Sequence, residues 1–299
     1  LPQPSEKQIQ EAAELLASAK RPLVISGAGV DRSGANAAVM EIVAMLNCPV
    51  FSTMAGRSTV PIDHPNHIMS FGRGGDAVKQ EADVVLVAGS RLGNLDLPFD
   101  KYWGVAAKHQ FIQIDIDPRN MGVTRPITLG IVADVSPTLD GLIKALKALK
   151  VKQKDGKDLA RYRKAAQASW DKEFKMVEDW PGPGIHPAKA MQAISETFGK
   201  DAIYLVDGGM TSLWAHWFLP ATWPRSYQGI LELGMLGIGV PYAVGAKLAN
   251  PDRKVVCVTG DGAAGFNFME MQSAARENLN ITTVVFAEGS WTMEEPNER

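Results

Sequence analysis

Lys254-Val255-Val256-Cys257-Val258-Thr259-Gly260-Asp261-Gly262-Ala263-Ala264-Gly265-Phe266 is the passage that decides the fold. Its first six residues form an apolar, β-branched run of the kind that makes a strand buried on both faces. The run is broken by Gly260-Asp261-Gly262. Phe266 to Asn278 then reads as a helix, and Ile281-Thr282-Thr283-Val284-Val285-Phe286 as a second apolar strand. Strand, helix and strand of the same buried type make a parallel unit with a right-handed crossover.

Working outward, the same rhythm recurs. Towards the N-terminus, Gly239 to Leu248 predicts a helix rich in small residues. Before it, Ala202-Ile203-Tyr204-Leu205-Val206 is a strand ended by Asp207-Gly208-Gly209, and His186-Pro187 opens a helix to Phe198 with proline at an early position. In the first half, Ser5 and Gln8 form a capping box for a helix reaching Lys20-Arg21. Strands follow at Pro22–Ser26, Pro49–Ser52, Val84–Ala88, Phe111–Ile116 and Gly130–Ala133, with Gly27-Ala28-Gly29 as a turn and helices over Ala35–Leu46 and Ser136–Leu149. The fold class expected is α/β, with two doubly wound parallel-sheet domains. Residues 1–150 form a Rossmann-like central domain, 151–184 a linker, and 185–299 a second domain incomplete at its C-terminus. Lys150 to Asp158 reads as solvated, a polar helix covers Leu159 to Val177, and the breakers Trp180-Pro181-Gly182-Pro183-Gly184 mark the boundary.

Composition narrows the function. The 299 residues carry 31 Lys+Arg against 33 Asp+Glu, so there is no cationic excess for a nucleic-acid backbone. No apolar run reaches the ~20 residues that span a bilayer. Cys48 and Cys257 lie in apolar strand-like runs and read as buried thiols, which fits a reducing, cytoplasmic location. The chain opens on Leu1 and closes soon after its last strand, which lacks a covering helix. It reads as part of a longer polypeptide or half of a split enzyme.

Ligands in open α/β sheets bind beyond the carboxyl ends of the strands. Three such ends in the second domain carry suitable loops: Asp207-Gly208-Gly209, Gly260-Asp261-Gly262-Ala263-Ala264 and Ala287-Glu288-Gly289-Ser290. The second loop leaves its backbone open to a close ligand, and a diphosphate suits it. A carboxylate beside phosphate calls for an intervening Mg²⁺, which joins carboxylates to phosphates through oxygen ligands. Spacing alone also allows Asp261 to be no more than a helix cap.

Gly-Asp-Gly, helix, apolar strand and polar loop together resemble the binding motif of thiamine diphosphate enzymes, which begins Gly-Asp-Gly and ends Asn-Asn. Counted 27 residues on from Asp261, the second-Asn position falls on Glu288, and the metal-binding carbonyl position on Ser290. The resemblance thus implies Asp261, Glu288 and Ser290 as metal ligands. Gly234-Met235-Leu236-Gly237-Ile238-Gly239-Val240-Pro241 is similar to the family's other signature, and Leu236 stands where a bulky residue wedges under the cofactor. Gly208 and Gly209 match the loop touching the diphosphate from the other side. Acetolactate synthase-like enzymes are the nearest in character, together with 2-hydroxyacyl-CoA lyases, oxalyl-CoA decarboxylases and benzaldehyde lyase. The resemblance implies carbon–carbon bond chemistry beside a carbonyl, on a 2-oxo acid or an acyl-CoA. It also implies a homo-oligomer, or a partner chain bringing the pyrimidine-binding domain. That domain normally supplies the Glu that protonates the cofactor, so the chain by itself is expected to lack turnover. Two rival readings are a non-catalytic nucleotide-binding module and one subunit of a split enzyme.

In relatives the central domain holds FAD or ADP. The matching positions here are Gly27, Gly29, Arg73, Gly89, Arg91 and Asp115, with Arg91 towards a diphosphate and Asp115 towards a ribose. The plain alternative for the glycines is helix–strand packing. His64 and His67 read as surface residues, His186 as a helix-start residue, and His216 either as facing substrate or as packing at an interface. Trp214, Trp217 and Trp223 make their stretch apolar enough for a subunit contact.

Overall fold

A computed structural model describes residues 1–93, 96, 100–182 and 184–294. Pro183 and residues 295–299, included in the readings above, lie outside the described residues. The chain divides into two units, Leu1–Phe174 and Lys175–Arg299. Each is a parallel sheet with interspersed helices, the expected fold class.

The first unit runs α1 (Glu6–Ser18), β1 (Pro22–Ser26), α2 (Ala28–Ser33), α3 (Asn36–Leu46), β2 (Val50–Ser52), α4 (Gly72–Glu81), β3 (Val84–Ala88), α5 (Asp100–Trp103), β4 (Gln110–Asp115), β5 (Leu129–Val132), α6 (Val135–Ala148) and α7 (Lys157–Glu178), which crosses the division. The capping box forms: Gln8 N–H donates to Ser5 Oγ, and Ser5 N–H to Gln8 Oε1. The strand order is β2-β1-β3-β4-β5, all parallel, with Val24 opposite both Val50 and Leu86. Alternate residues bury two faces. Val24, Val50, Leu86 and Ile112 share a core with residues of α1, α3 and α6. Leu23, Ile25, Val85, Val87 and Phe111 share the other with Val78, Trp103 and Tyr162.

Four local expectations change. The turn at Gly27–Gly29 is the start of α2, with Gly27 as its N-cap. Helix α4 was hidden by Gly72, Gly74 and Gly75, poor helix formers, retained because a Cβ on Gly74 would lie 2.6 Å from Ala166 Cβ. The lysine-rich stretch after α6 is solvated as expected, but it is also tied down: Gln153 Nε2 donates to the Ala44 carbonyl, and Lys154 N–H to that of Leu46. His67 is half-buried rather than fully at the surface. It pairs beside β2 through a bridge to Val50, and burial, with Arg57 adding repulsion, pushes its pKa down to about 3.

The second unit runs α8 (Pro187–Phe198), β6 (Ile203–Asp207), α9 (Met210–Phe218), β7 (Tyr227–Gly229), α10 (Gly239–Ala249), β8 (Val255–Gly260), α11 (Asp261–Asn267), α12 (Met271–Arg276) and β9 (Ile281–Phe286). The order is β7-β6-β8-β9, again all parallel. The single helix expected over Phe266–Asn278 is broken: α11 starts at Asp261, and a 3₁₀ turn at Phe268–Glu270 separates it from α12. Val240 and Ala243 of α10 pack on Ile203, Leu205 and Cys257. After β6 the chain goes to β7 on one side and then to β8 on the other, so the winding reverses between β6 and β8. That crevice is where an open α/β sheet binds ligands. Among the described residues no helix is long and apolar enough to cross a membrane.

Candidate functional site

The β6 and β8 ends carry Asp207 and Asp261, and the two carboxylates have opposite surroundings. Asp207 is 3% exposed. Its Oδ1 accepts the N–H groups of Gly208 (2.8 Å) and Gly237 (3.3 Å), and its Oδ2 that of Gly239 (2.7 Å). Burial raises its pKa, and the backbone donors pull against that rise. The side chain faces the segment before α10. Only the backbone of the Gly208–Gly209 loop is left to meet a ligand from this end.

Asp261 is half-buried and opens α11. Its Oδ1 accepts Gly262 N–H at 2.8 Å, and its Oδ2 accepts Gly289 N–H at 2.7 Å. Those backbone donors, Gly289 first, hold its carboxyl below the usual range, so it is ionised at neutral pH. The Gly289 bond draws the loop after β9 onto the loop after β8. Glu288, next to Gly289, is exposed, and the Thr292 hydroxyl donates to its Oε2. Ser290 is exposed beside them. Asp261, Glu288 and Ser290 therefore sit at neighbouring strand tips. No group of three His, Cys, Asp or Glu side chains able to hold a metal occurs among the described residues.

The glycines set the spacing. Gly208, at φ +101°, lets its loop lie on α11, where a Cβ would come within 3.2 Å of Gly260 N and 3.6 Å of Ala263 Cβ. A Cβ on Gly262 would lie 2.5 Å from Trp291 Nε1, and one on Gly209 2.7 Å from Met293 Sδ. Ala263 is buried under the first turn, and Ala264 is half-buried. In the Gly234–Gly239 segment, Gly234 has open space around it, Met235 is 55% exposed and Leu236 is half-buried. Trp291, Met293 and Asn267 escaped the sequence reading. Only their distance from the glycine loops along the chain hid them, since no local pattern marks a packing partner.

The first unit's crevice lies between β1 and β3, and there the glycines press backbone on backbone. Gly27 N–H donates to the Ala88 carbonyl (2.9 Å) and Gly29 N–H to that of Gly89 (3.0 Å). A Cβ on Gly27 would stand 2.3 Å from the Gly89 oxygen. The Gly27 and Gly29 amides are both paired within the protein, and both glycines pack on Gly89. Asp115 Oδ1 already accepts from Asp117 N–H and Asn120 Nδ2. Arg73 and Arg91 are exposed.

The remaining candidates are structural. His186 caps α8, accepting Ala188 N–H at Nδ1, between the rings of Trp180 and Trp214. His216 is 3% exposed and packs edge-on to Tyr227, so it does not face a ligand. Trp223 donates to the Lys200 carbonyl beneath Arg253, an internal contact.

Residues 9–142 match the family model described as thiamine pyrophosphate enzyme, central domain, and residues 207–299 match thiamine pyrophosphate enzyme, C-terminal TPP binding domain. The chain is 33% identical over 295 residues to a probable acetolactate synthase large subunit of Methanococcus aeolicus, covering 94% of this chain and 48% of that protein. It is 32% identical over 329 residues to a sulfoacetaldehyde acetyltransferase of Roseovarius nubinhibens, covering 99% and 52% respectively. An acetolactate synthase large subunit of Corynebacterium glutamicum is 28% identical over 299 residues, covering 97% and 46%. The chain spans about half the length of the curated relatives it matches.

Proposed function

The chain belongs to the thiamine pyrophosphate enzyme family, and from that membership we propose that its second unit anchors thiamine diphosphate through a Mg²⁺ held by Asp261, Glu288 and the Ser290 carbonyl. The observation carrying this reading is the 2.7 Å bond from Gly289 N–H to Asp261 Oδ2, which sets the tips of β8 and β9 side by side, β8 being one of the two strands that border the winding reversal. The donor set fits: Asp261 is ionised, its oxygens accept backbone N–H groups rather than cationic side chains, and hard oxygen donors suit Mg²⁺. With two carboxylates and no third acidic or imidazole ligand among the described residues, the cation would draw on phosphate oxygens to complete its shell, so metal and diphosphate would bind together.

When bound, the cofactor supplies an electron sink for bonds beside a carbonyl. The residues of this chain would anchor its tail and orient its body: Gly208, Gly209, Gly262 and Ala264 would allow close approach, and Leu236 would support the rings. Glu288, in place of the family's Asn, adds a negative charge that favours the metal and opposes the diphosphate. We propose a 2-oxo acid as donor in an acyl transfer, in line with the acetolactate synthase and sulfoacetaldehyde acetyltransferase relatives. An acyl-CoA lyase or decarboxylase activity is the alternative. Assay of the assembled enzyme with pyruvate, alone or with sulfoacetaldehyde, against an acyl-CoA separates them.

Asp261→Ala should abolish Mg²⁺-dependent thiamine diphosphate binding by calorimetry. Unchanged affinity in a folded variant would refute the metal assignment.

A further inference from the structure

Gly237 is held from both sides. Its N–H donates to Asp207 Oδ1 at 3.3 Å, and its carbonyl accepts from Asn267 Nδ2 at 2.9 Å. Its φ of +90° excludes most side chains, and a Cβ there would lie 2.6 Å from Phe266 Cβ. Two residues on, Gly239 N–H donates to the second Asp207 oxygen at 2.7 Å, and a Cβ on Gly239 would meet Cys257 Sγ at 2.8 Å. The two peptide planes that meet at Gly237 are therefore each held: the one after Leu236 by a carboxylate at the end of β6, and the next one by an amide at the end of α11. A buried carboxylate is costly unless its lone pairs are filled, and here they are filled by the backbone of the segment it holds. Helix α11 spans seven residues, about 10 Å. Asp261 stands at its start and Asn267 at its end.

We propose that Asp207 and Asn267 are positioning residues: they clamp Gly237 and so set Leu236 at a fixed place relative to Asp261. The proposal rests on the cofactor site described above. It gives Asp207 a role other than contact with the diphosphate. It assigns Asn267, an exposed side chain in an unremarked part of the sequence, to the support of the cofactor's body.

The clamp separates the two parts of the ligand. Asp261 governs the diphosphate end, and Leu236 governs only the rings. In the full chain, Asn267→Ala should weaken Mg²⁺–thiamine diphosphate binding about fivefold to tenfold, the worth of one hydrogen bond, and leave Mg²⁺–pyrophosphate affinity unchanged. Leu236→Ala should show the same split, and the double variant should lose less than the sum of the two. The circular dichroism of bound thiamine diphosphate should change in both single variants. Asp207→Asn, which turns one acceptor into a donor facing N–H groups, should match or exceed the loss if it folds; if it does not fold, the Asn267 cycle decides. Equal loss for both ligands, or additive effects, would overturn the clamp while wild-type binding still upheld the cofactor site. A folded wild-type chain that bound neither ligand would overturn the cofactor reading and the clamp with it.

Discussion

Two aspartates at adjacent strand ends, with the same residue type and similar glycine neighbours, do different work because water reaches one and not the other. Asp207 is enclosed and raised in pKa by burial; Asp261 is partly open and lowered by N–H donors. The sequence marks both as carboxylates beside glycine and cannot say which is enclosed, since burial depends on α10 and its preceding segment. The two cysteines were legible from their apolar surroundings, Cys257 inside β8 and Cys48 in the short link before β2. Cys48 and Cys257 are 1% and 0% exposed, and burial pushes each thiol up to about 12. Native chain at pH 8 should therefore resist alkylation, with both thiols modified only on unfolding; mass spectrometry of labelled native chain checks this.

Elements with a clear period were legible to within a residue or two, and those built on glycine were not. Strands β1, β3 and β9 stand where the apolar runs place them. Helix α4 was invisible to propensity, because three glycines in its first turn favour coil in isolation. Its packing reverses that preference, since Gly74 faces Tyr162 and Ala166 of α7 with no room for a methyl group. Gly74→Ala should force α4 from α7 and cost about 1–3 kcal/mol by denaturant unfolding. Gly245→Ala is the control: it lies exposed within α10 with nothing near its α-carbon, and should gain up to about 1 kcal/mol. A Gly74→Ala variant as stable as wild type would show that the helices separate freely.

Across the whole molecule, two sheets of the same winding meet different ends. In both, the order reverses beside the first strand, yet the first crevice is filled by Gly27 against Gly89, while the second gathers Asp261, Glu288 and the glycine loops. With the relatives twice as long, we expect turnover to need a polypeptide that supplies the pyrimidine-binding domain. Mixing the chain with such a polypeptide should restore decarboxylation of a 2-oxo acid, measured as released CO₂, and the 299 residues alone should give none. Detectable turnover by the purified chain would contradict this. The sequence by itself determined the parallel α/β class, eight of the nine described strands and the three loops, because periodicity and glycine punctuation are local; β7, three residues long, carried no such signal, and the family came from the likeness of the loop motifs. Only the tertiary structure decided which carboxylate is enclosed, that Asn267 reaches Gly237 and that Gly27 packs on Gly89. Those are distances between segments far apart in the chain, fixed by packing rather than by any neighbour in sequence.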